Sequence, residues 1–190
     1  MSVRLFVAID ISDQSRQNLS QAVETMKKCA PELKWVAPQN MHLTLKFIGS
    51  VPDNTIPEAI RVLQKTAAKA PQFRMEMDGI SAFPEPDRPR VLFACIQENS
   101  AHLQKLAEKV DHNLGSALGI KREKRDFVPH VTIARTRRGK KCPPVEELTE
   151  PLSDLTFGTT EVEKFDLVKS DLTQQGPVYT TVEHFPLLQT

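Results

Sequence analysis

Two stretches decide the fold: His42-Leu43-Thr44-Leu45-Lys46-Phe47-Ile48 and His130-Val131-Thr132-Ile133, two versions of one pattern. In an extended strand successive side chains point to opposite faces. Alternation therefore puts His42 and Thr44 on one face, with Leu43, Leu45 and Phe47 on the other, packed on helices. His130 and Thr132 stand in the same way against Val131 and Ile133. The chain has five histidines, and chance would supply roughly 0.4 His-x-Thr triplets in such a composition. Two of them, both with apolar spacers, point to a shared design.

Working outward, each stretch sits in the same order of elements. Upstream of the first lies a short apolar strand, Leu5 to Ile9. A helix follows from about Asp13 to Cys29, with Leu19, Ala22, Val23 and Met26 on one face. Downstream, a helix from about Thr55 to Ala70 turns Ile56, Ala59, Ile60 and Leu63 inward, and Phe73 to Ile80 is extended. Then the programme restarts. Leu92-Phe93-Ala94-Cys95-Ile96 echoes Leu5-Phe6-Val7-Ala8-Ile9 at an offset of 87 residues, and His130 follows His42 at 88. Between them runs a helix from about Ser100 to Leu118, with Leu103, Leu106, Ala107, Val110 and Leu114 on one stripe. A short helical stretch near Val145 to Leu148 and strands over Glu161–Lys169 and Val178–Phe185 follow. Two markers at nearly one offset indicate an internal duplication, roughly 1–90 and 91–190. The expected fold is α+β. A single bilobal domain spans 1–190, with two antiparallel sheets flanked by helices, a pseudo-two-fold axis and a central cleft.

Composition fits that size and excludes other classes. A chain of 190 residues, 39% hydrophobic and 26% charged, makes one domain or two small lobes sharing one core. Its net charge is +1, so it is neither a polycation nor an acidic tail. No run of about 18 apolar residues is present, so no membrane association is expected. The segment Leu5 to Ile9 is too short for a signal-peptide core. The cysteines Cys29, Cys95 and Cys142 are far apart with no CxxC pair. That pattern fits a reducing cytoplasm and excludes a disulfide scaffold or zinc ribbon. A monomer is expected.

Two imidazoles on opposite sides of a small group suit in-line displacement at phosphorus. One neutral imidazole removes a proton from the nucleophile, and one imidazolium protonates the departing oxygen. Both protonation states of histidine exist near neutral pH. Thr44 and Thr132, one position along the same face, can donate to the non-bridging oxygens as charge builds there. No acidic cluster accompanies the histidines, so no metal and no cofactor is expected. A zinc site on His42 and His130 would lack further ligands. No Ser or Cys sits in a nucleophile elbow, and no P-loop is present. His102, His112 and His184 lack the threonine and read as ordinary partly buried side chains.

With their contexts, NMHLTLKFIG and FVPHVTIAR, the twin motifs resemble the 2H phosphoesterase superfamily. Within it the chain is similar to the bacterial and archaeal RNA 2′,3′-cyclic phosphodiesterases, also called 2′-5′ RNA ligases. The likeness runs through RLFVAID, WVAPQNMHLTLKFIG, RPRVLFACI, FVPHVTIAR, GPVYT and the terminal FPL. It implies hydrolysis of a 2′,3′-cyclic phosphate at an RNA 3′ end to a 2′-phosphomonoester. His42 would be the proton donor to the 3′ oxygen and His130 the proton acceptor from water, with Thr44 and Thr132 on the phosphoryl oxygens. Arg135 matches a basic residue of the family and would contact phosphate. Strict alternation opposes this: five positions from His130, Arg135 faces away unless the strand is irregular.

Charge agrees with an RNA substrate. Nine bases against two acids lie between Lys121 and Lys141, a basic segment bracketing the second motif. Phe6, Phe47 and Tyr179 are the candidate faces for a terminal base. Core packing is the competing role for the phenylalanines, above all for Phe47. Tyr179, beside Gly176-Pro177, is expected to reach the cleft. Two other functions share these features: 2′-5′ joining of RNA ends by the same site, and a non-catalytic RNA-binding module.

Overall fold

The computed structural model describes residues 1–97, 101–174 and 176–189. The chain runs β1 (Ser2–Asp10), α1 (Asp13–Cys29), β2 (Lys34–Trp35), β3 (His42–Pro52), α2 (Ile56–Ala67), β4 (Phe73–Phe83) and β5 (Val91–Ile96). It continues with α3 (Ala101–Leu118), β6 (His130–Arg135), α4 (Val145–Thr149), β7 (Thr156–Val162), β8 (Lys164–Thr173) and β9 (Gly176–Pro186). The fold is α+β, as expected. The first helix has the expected bounds because its ends are written locally. The Ser12 hydroxyl accepts the Ser15 amide at 3.2 Å, and Leu19, Ala22, Val23 and Met26 form the buried stripe. The expected start of the third helix, Ser100, lies outside the described residues. Glu161–Lys169, read as one strand, is the end of β7 and most of β8, broken at Glu163. Apolar content continues across that break, which hides it.

The strands form one antiparallel sheet in the order β7-β4-β5-β6-β3-β1-β8-β9, with β2 added alongside β6. The two lobes, β7-β4-β5-β6 and β3-β1-β8-β9, join where β3 meets β6 at Leu43 and Val131. The lobes exchange strands relative to the chain halves. β4, from the first half, pairs with β5 and β7, whereas β8 pairs with β1. Likewise α1 packs on β7 and α2 on β8 and β9. Each lobe therefore needs both halves of the chain.

The core lies on one face of the sheet, where Leu43, Leu45, Val131 and Ile133 are buried with the helix stripes. The other face is open. Both motif strands carry a bulge at the same place. Val7 pairs with Lys46 and Ala8 with Thr44, leaving Leu45 extra. Leu92 pairs with Ala134 and Phe93 with Thr132, leaving Ile133 extra. A bulge inserts one residue and reverses alternation beyond it. Two consecutive residues are thus buried in each strand: Leu45 and Lys46, Ile133 and Ala134. The residues that follow, Phe47 and Arg135, swing onto the open face.

Candidate active site

The open face forms a cleft of about 620 Å³ whose lining includes Phe6, His42, Thr44, Phe47, His130, Thr132, Arg135 and Tyr179, all candidates from the sequence. The antiparallel pair Leu43–Val131 stands between the motifs. Carried one residue either way, that register sets His42 opposite Thr132 and Thr44 opposite His130. Such diagonal cross-strand neighbours, here the two histidines, lie roughly 7–8 Å apart. That leaves room for one small group between them.

Each imidazole is fixed by the same two devices. His42 Nδ1 bonds the Asn40 carbonyl at 2.8 Å, and His130 Nδ1 bonds the Val128 carbonyl at 2.7 Å. A carbonyl accepts only from N–H, so in both rings Nδ1 carries hydrogen and Nε2 is left for chemistry. Each ring also packs on aromatics. His42 stacks on Phe6, with centroids 4.9 Å apart, and meets the edge of Tyr179 at 5.4 Å. His130 lies 5.2 Å from both Phe83 and Phe93. Phe93 is the echo of Phe6 in the LFACI and LFVAI blocks, so the shared phenylalanine of those blocks backs a histidine in each lobe.

Burial lowers the pKa of both histidines below the ordinary imidazole value. Smaller influences differ between them. The Asp10 carboxylate, Cα partner of His42 in the ladder, pulls that pKa back up, whereas Arg16 and His130 lower it. The Arg135 guanidinium pushes His130 further down. Arg16 bonds Asp10 and the carbonyls of Pro38 and Met41, holding that carboxylate beside the motif.

Several expectations change in detail. Phe6 is only 4% exposed and its face is taken by His42, so it supports the imidazole rather than offering a surface to a base. Phe47, expected in the core, is 64% exposed and lines the cleft, because the bulge at Leu45 turned it over. The bulge at Ile133 does the same for Arg135 and removes the objection from alternation. Tyr179 reaches the cleft, and burial raises the pKa of its phenol. Of the basic segment Lys121–Lys141, Arg135 lines the cleft. Arg122 instead pairs with Asp111 on α3 at 3.1 Å. His184 bonds the Asp166 carboxylate at 2.7 Å and His102 lies against Phe73; neither lines the cleft.

The sequence reading missed Asn40, which holds His42 through its carbonyl and the β8–β9 hairpin through its side chain, Nδ2 to the Pro177 carbonyl at 3.3 Å. It also missed Arg4 and Lys34 on the cleft wall. No sequence pattern marks them, because register alone brings them there. Among the described residues, no three His, Cys, Asp or Glu side chains gather into a metal-binding group. No described helix is long and apolar enough to cross a membrane.

The LigT like Phosphoesterase family matches this chain twice, over residues 9–93 and 96–179. An RNA 2′,3′-cyclic phosphodiesterase of Aquifex aeolicus is 36% identical over 189 residues, 97% of each chain. One from Methanothermobacter thermautotrophicus is 32% identical, covering 98% of this chain and all of the relative. The crystal structure of TT0787 from Thermus thermophilus superposes with a TM-score of 0.78 at 33% identity over 97% of both chains. With both motifs facing one cleft and the match running through both halves, the chain belongs to the LigT-like phosphoesterase family of the 2H superfamily.

Proposed function

We propose that the protein hydrolyses 2′,3′-cyclic phosphate at RNA 3′ ends, leaving a 2′-phosphomonoester, without a metal ion or cofactor. The observation that carries this reading is the pairing of two Nδ1-anchored imidazoles across one cleft, each opposite the other motif's threonine. The substrate class rests on the relatives, which are named RNA 2′,3′-cyclic phosphodiesterases.

Neutral His130 accepts a proton from water through Nε2 as the water oxygen attacks phosphorus opposite the 3′ oxygen. His42, as imidazolium, donates its Nε2 proton to that oxygen as the P–O3′ bond breaks. Thr44 and Thr132 donate to the non-bridging oxygens, and Arg135 balances their charge. The local charges support this division of labour. Beside His42 the Asp10 carboxylate favours the protonated form against the opposing Arg16 and His130, whereas near His130 the Arg135 guanidinium favours the neutral form. Phe47 and Tyr179 offer the faces on which the terminal base stacks. The protein works as a cytoplasmic monomer.

The test is incubation of purified protein with an RNA ending in 2′,3′-cyclic phosphate, in EDTA, followed by phosphorus NMR of the product. The expected product is the 2′-phosphate alone. Dependence on added Zn²⁺ or Mg²⁺, or a near-equal mixture of 2′- and 3′-phosphates, would sink the mechanism.

A further inference from the structure

We propose that the 5′ side of the RNA leaves the cleft past β2 and the end of β6, onto a cationic ridge built by two loops, 84–90 and 136–144. This rests on the reading of the cleft as a cyclic-phosphate site and adds the path of the rest of the strand.

The path starts inside the cleft. Lys34 and Arg135 are Cα partners in the β2–β6 ladder, and both line the cleft wall. Past Arg135 the chain leaves the strand and is locked to the other loop. The Thr136 amide donates to the Arg90 carbonyl at 3.0 Å, and its hydroxyl donates to the Pro89 carbonyl at 2.8 Å. Arg137 Nε donates to the Glu32 carbonyl at 2.9 Å, tying the ridge to the segment before β2. These bonds hold the exposed Arg88, Arg90, Arg137 and Arg138 together as a continuation of the Lys34–Arg135 wall. Glu85 and Asp87 offset two of the charges. Lys140 and Lys141 restore the excess.

The opposite end of the cleft has another character. There Phe47, Leu172 and Val178 line it, with Arg4 of β1 beside them; the three apolar side chains are all more than half exposed. An apolar wall holds a base and repels a phosphodiester chain, whereas a cationic ridge attracts one. With the cyclic phosphate between the histidines, the larger run of cations, and so the favoured exit, lies on the ridge side. In the 121–125 stretch Arg122 is withdrawn from it. Asp111 on α3 takes the Arg122 guanidinium, the Glu123 amide and Lys46, which fastens that loop beside α3.

The experiment separates the ridge from the reaction. Binding is followed by fluorescence anisotropy of a 5′-labelled RNA octamer ending in 2′-phosphate, which the enzyme does not consume. Turnover of a cyclic mononucleotide, which does not extend to the ridge, is measured beside it. In the native protein, octamer affinity should fall with salt at a log–log slope of about −2 or steeper, from three or more phosphate contacts. The double variant Arg88→Glu/Arg138→Glu should bind the octamer about tenfold or more weakly and flatten the slope by roughly 1. The milder Arg88→Gln/Arg138→Gln should move the same way by less. Unchanged octamer affinity and slope in both variants would overturn the ridge. So would equal losses on octamer and mononucleotide. Failure of the native protein to turn over any cyclic phosphate would instead overturn the reading of the cleft, while octamer binding would still report on the ridge.

Discussion

β3 and β6 perform one piece of geometry twice and then diverge. Each presents His and Thr on the open face, anchors Nδ1 to the carbonyl two residues back, backs the ring with phenylalanine and bulges after the threonine. Beyond the bulge the equivalent residues differ: buried Lys46 against Ala134, and cleft-facing Phe47 against Arg135. What the strands share sets the reaction geometry. Where they differ lies the basis of the proposed division of roles between the two histidines and of the proposed substrate orientation: base toward the phenylalanine, charge toward the arginine.

The shared part is broken most severely at the histidines. His42→Ala and His130→Ala should each lose about 10²–10⁴-fold in turnover with normal circular dichroism, since both rings line a cleft. The double variant should lose far less than the product, because both groups act on one transition state. His102→Ala, outside the cleft, should stay near native. Should it prove as damaging as either, the equivalence of the motif histidines would lose its meaning.

The next largest effect lies where β3 has a lysine and β6 an alanine. Lys46 Nζ lies 2.5 Å from Asp111 and donates to the Lys121 carbonyl at 2.7 Å, with both charged side chains largely buried. Breaking a buried pair costs about 3–5 kcal/mol. Lys46→Met should fall near the lower end of that range, since Asp111 keeps Arg122 and the Glu123 amide. Urea unfolding would read it as a lower midpoint at unchanged slope. A change below about 0.5 kcal/mol, typical of surface sites, would mean that this asymmetry is ornamental. A smaller effect belongs to Arg135→Gln. Losing a charged hydrogen bond of about 1.5–3 kcal/mol should raise KM for the cyclic phosphate roughly 10–100-fold. Phe47→Gln should do less, about 1–3 kcal/mol per stacked base, and differ between purine and pyrimidine ends.

The sequence carried the motifs, the order of most elements and the helix faces, because periodicity and paired residue types are local. It misplaced Phe47 and left Arg135 in dispute for one reason. Alternation assumes a regular strand, and nothing in Leu45 or Ile133 as residue types announces a bulge. A bulge is a property of a pair of strands, here β3 with β1 and β6 with β5. The exchange of β4 and β8 between lobes was hidden likewise, since an apolar strand does not name its neighbour. Phe93 was legible as an echo of Phe6, but its contact with His130 required the β5–β6 register.

The finest test of the comparison is the pH profile, where each limb belongs mainly to one histidine. The proposed acid, His42, must be protonated, so kcat/KM falls as pH rises through its pKa. The proposed base, His130, must be neutral, so kcat/KM falls as pH drops through its own. Burial lowers both pKa values in the free enzyme, which puts the kcat/KM optimum on the acid side of the ordinary imidazole range. A bound phosphate anion favours both imidazolium forms and should shift the kcat profile to higher pH. Asp10→Asn removes a carboxylate that raises His42, so the alkaline limb of kcat/KM should move to lower pH. Arg135→Gln removes a cation that lowers His130, so the acid limb should move to higher pH. The two variants narrow the bell from opposite sides. Because His130 also acts on His42, the limbs belong to the pair, and each variant should move the other limb slightly in the same direction as its own. If Asp10→Asn instead moved chiefly the acid limb, His42 would be the base, and the charges that distinguish β3 from β6 would assign the roles the other way round.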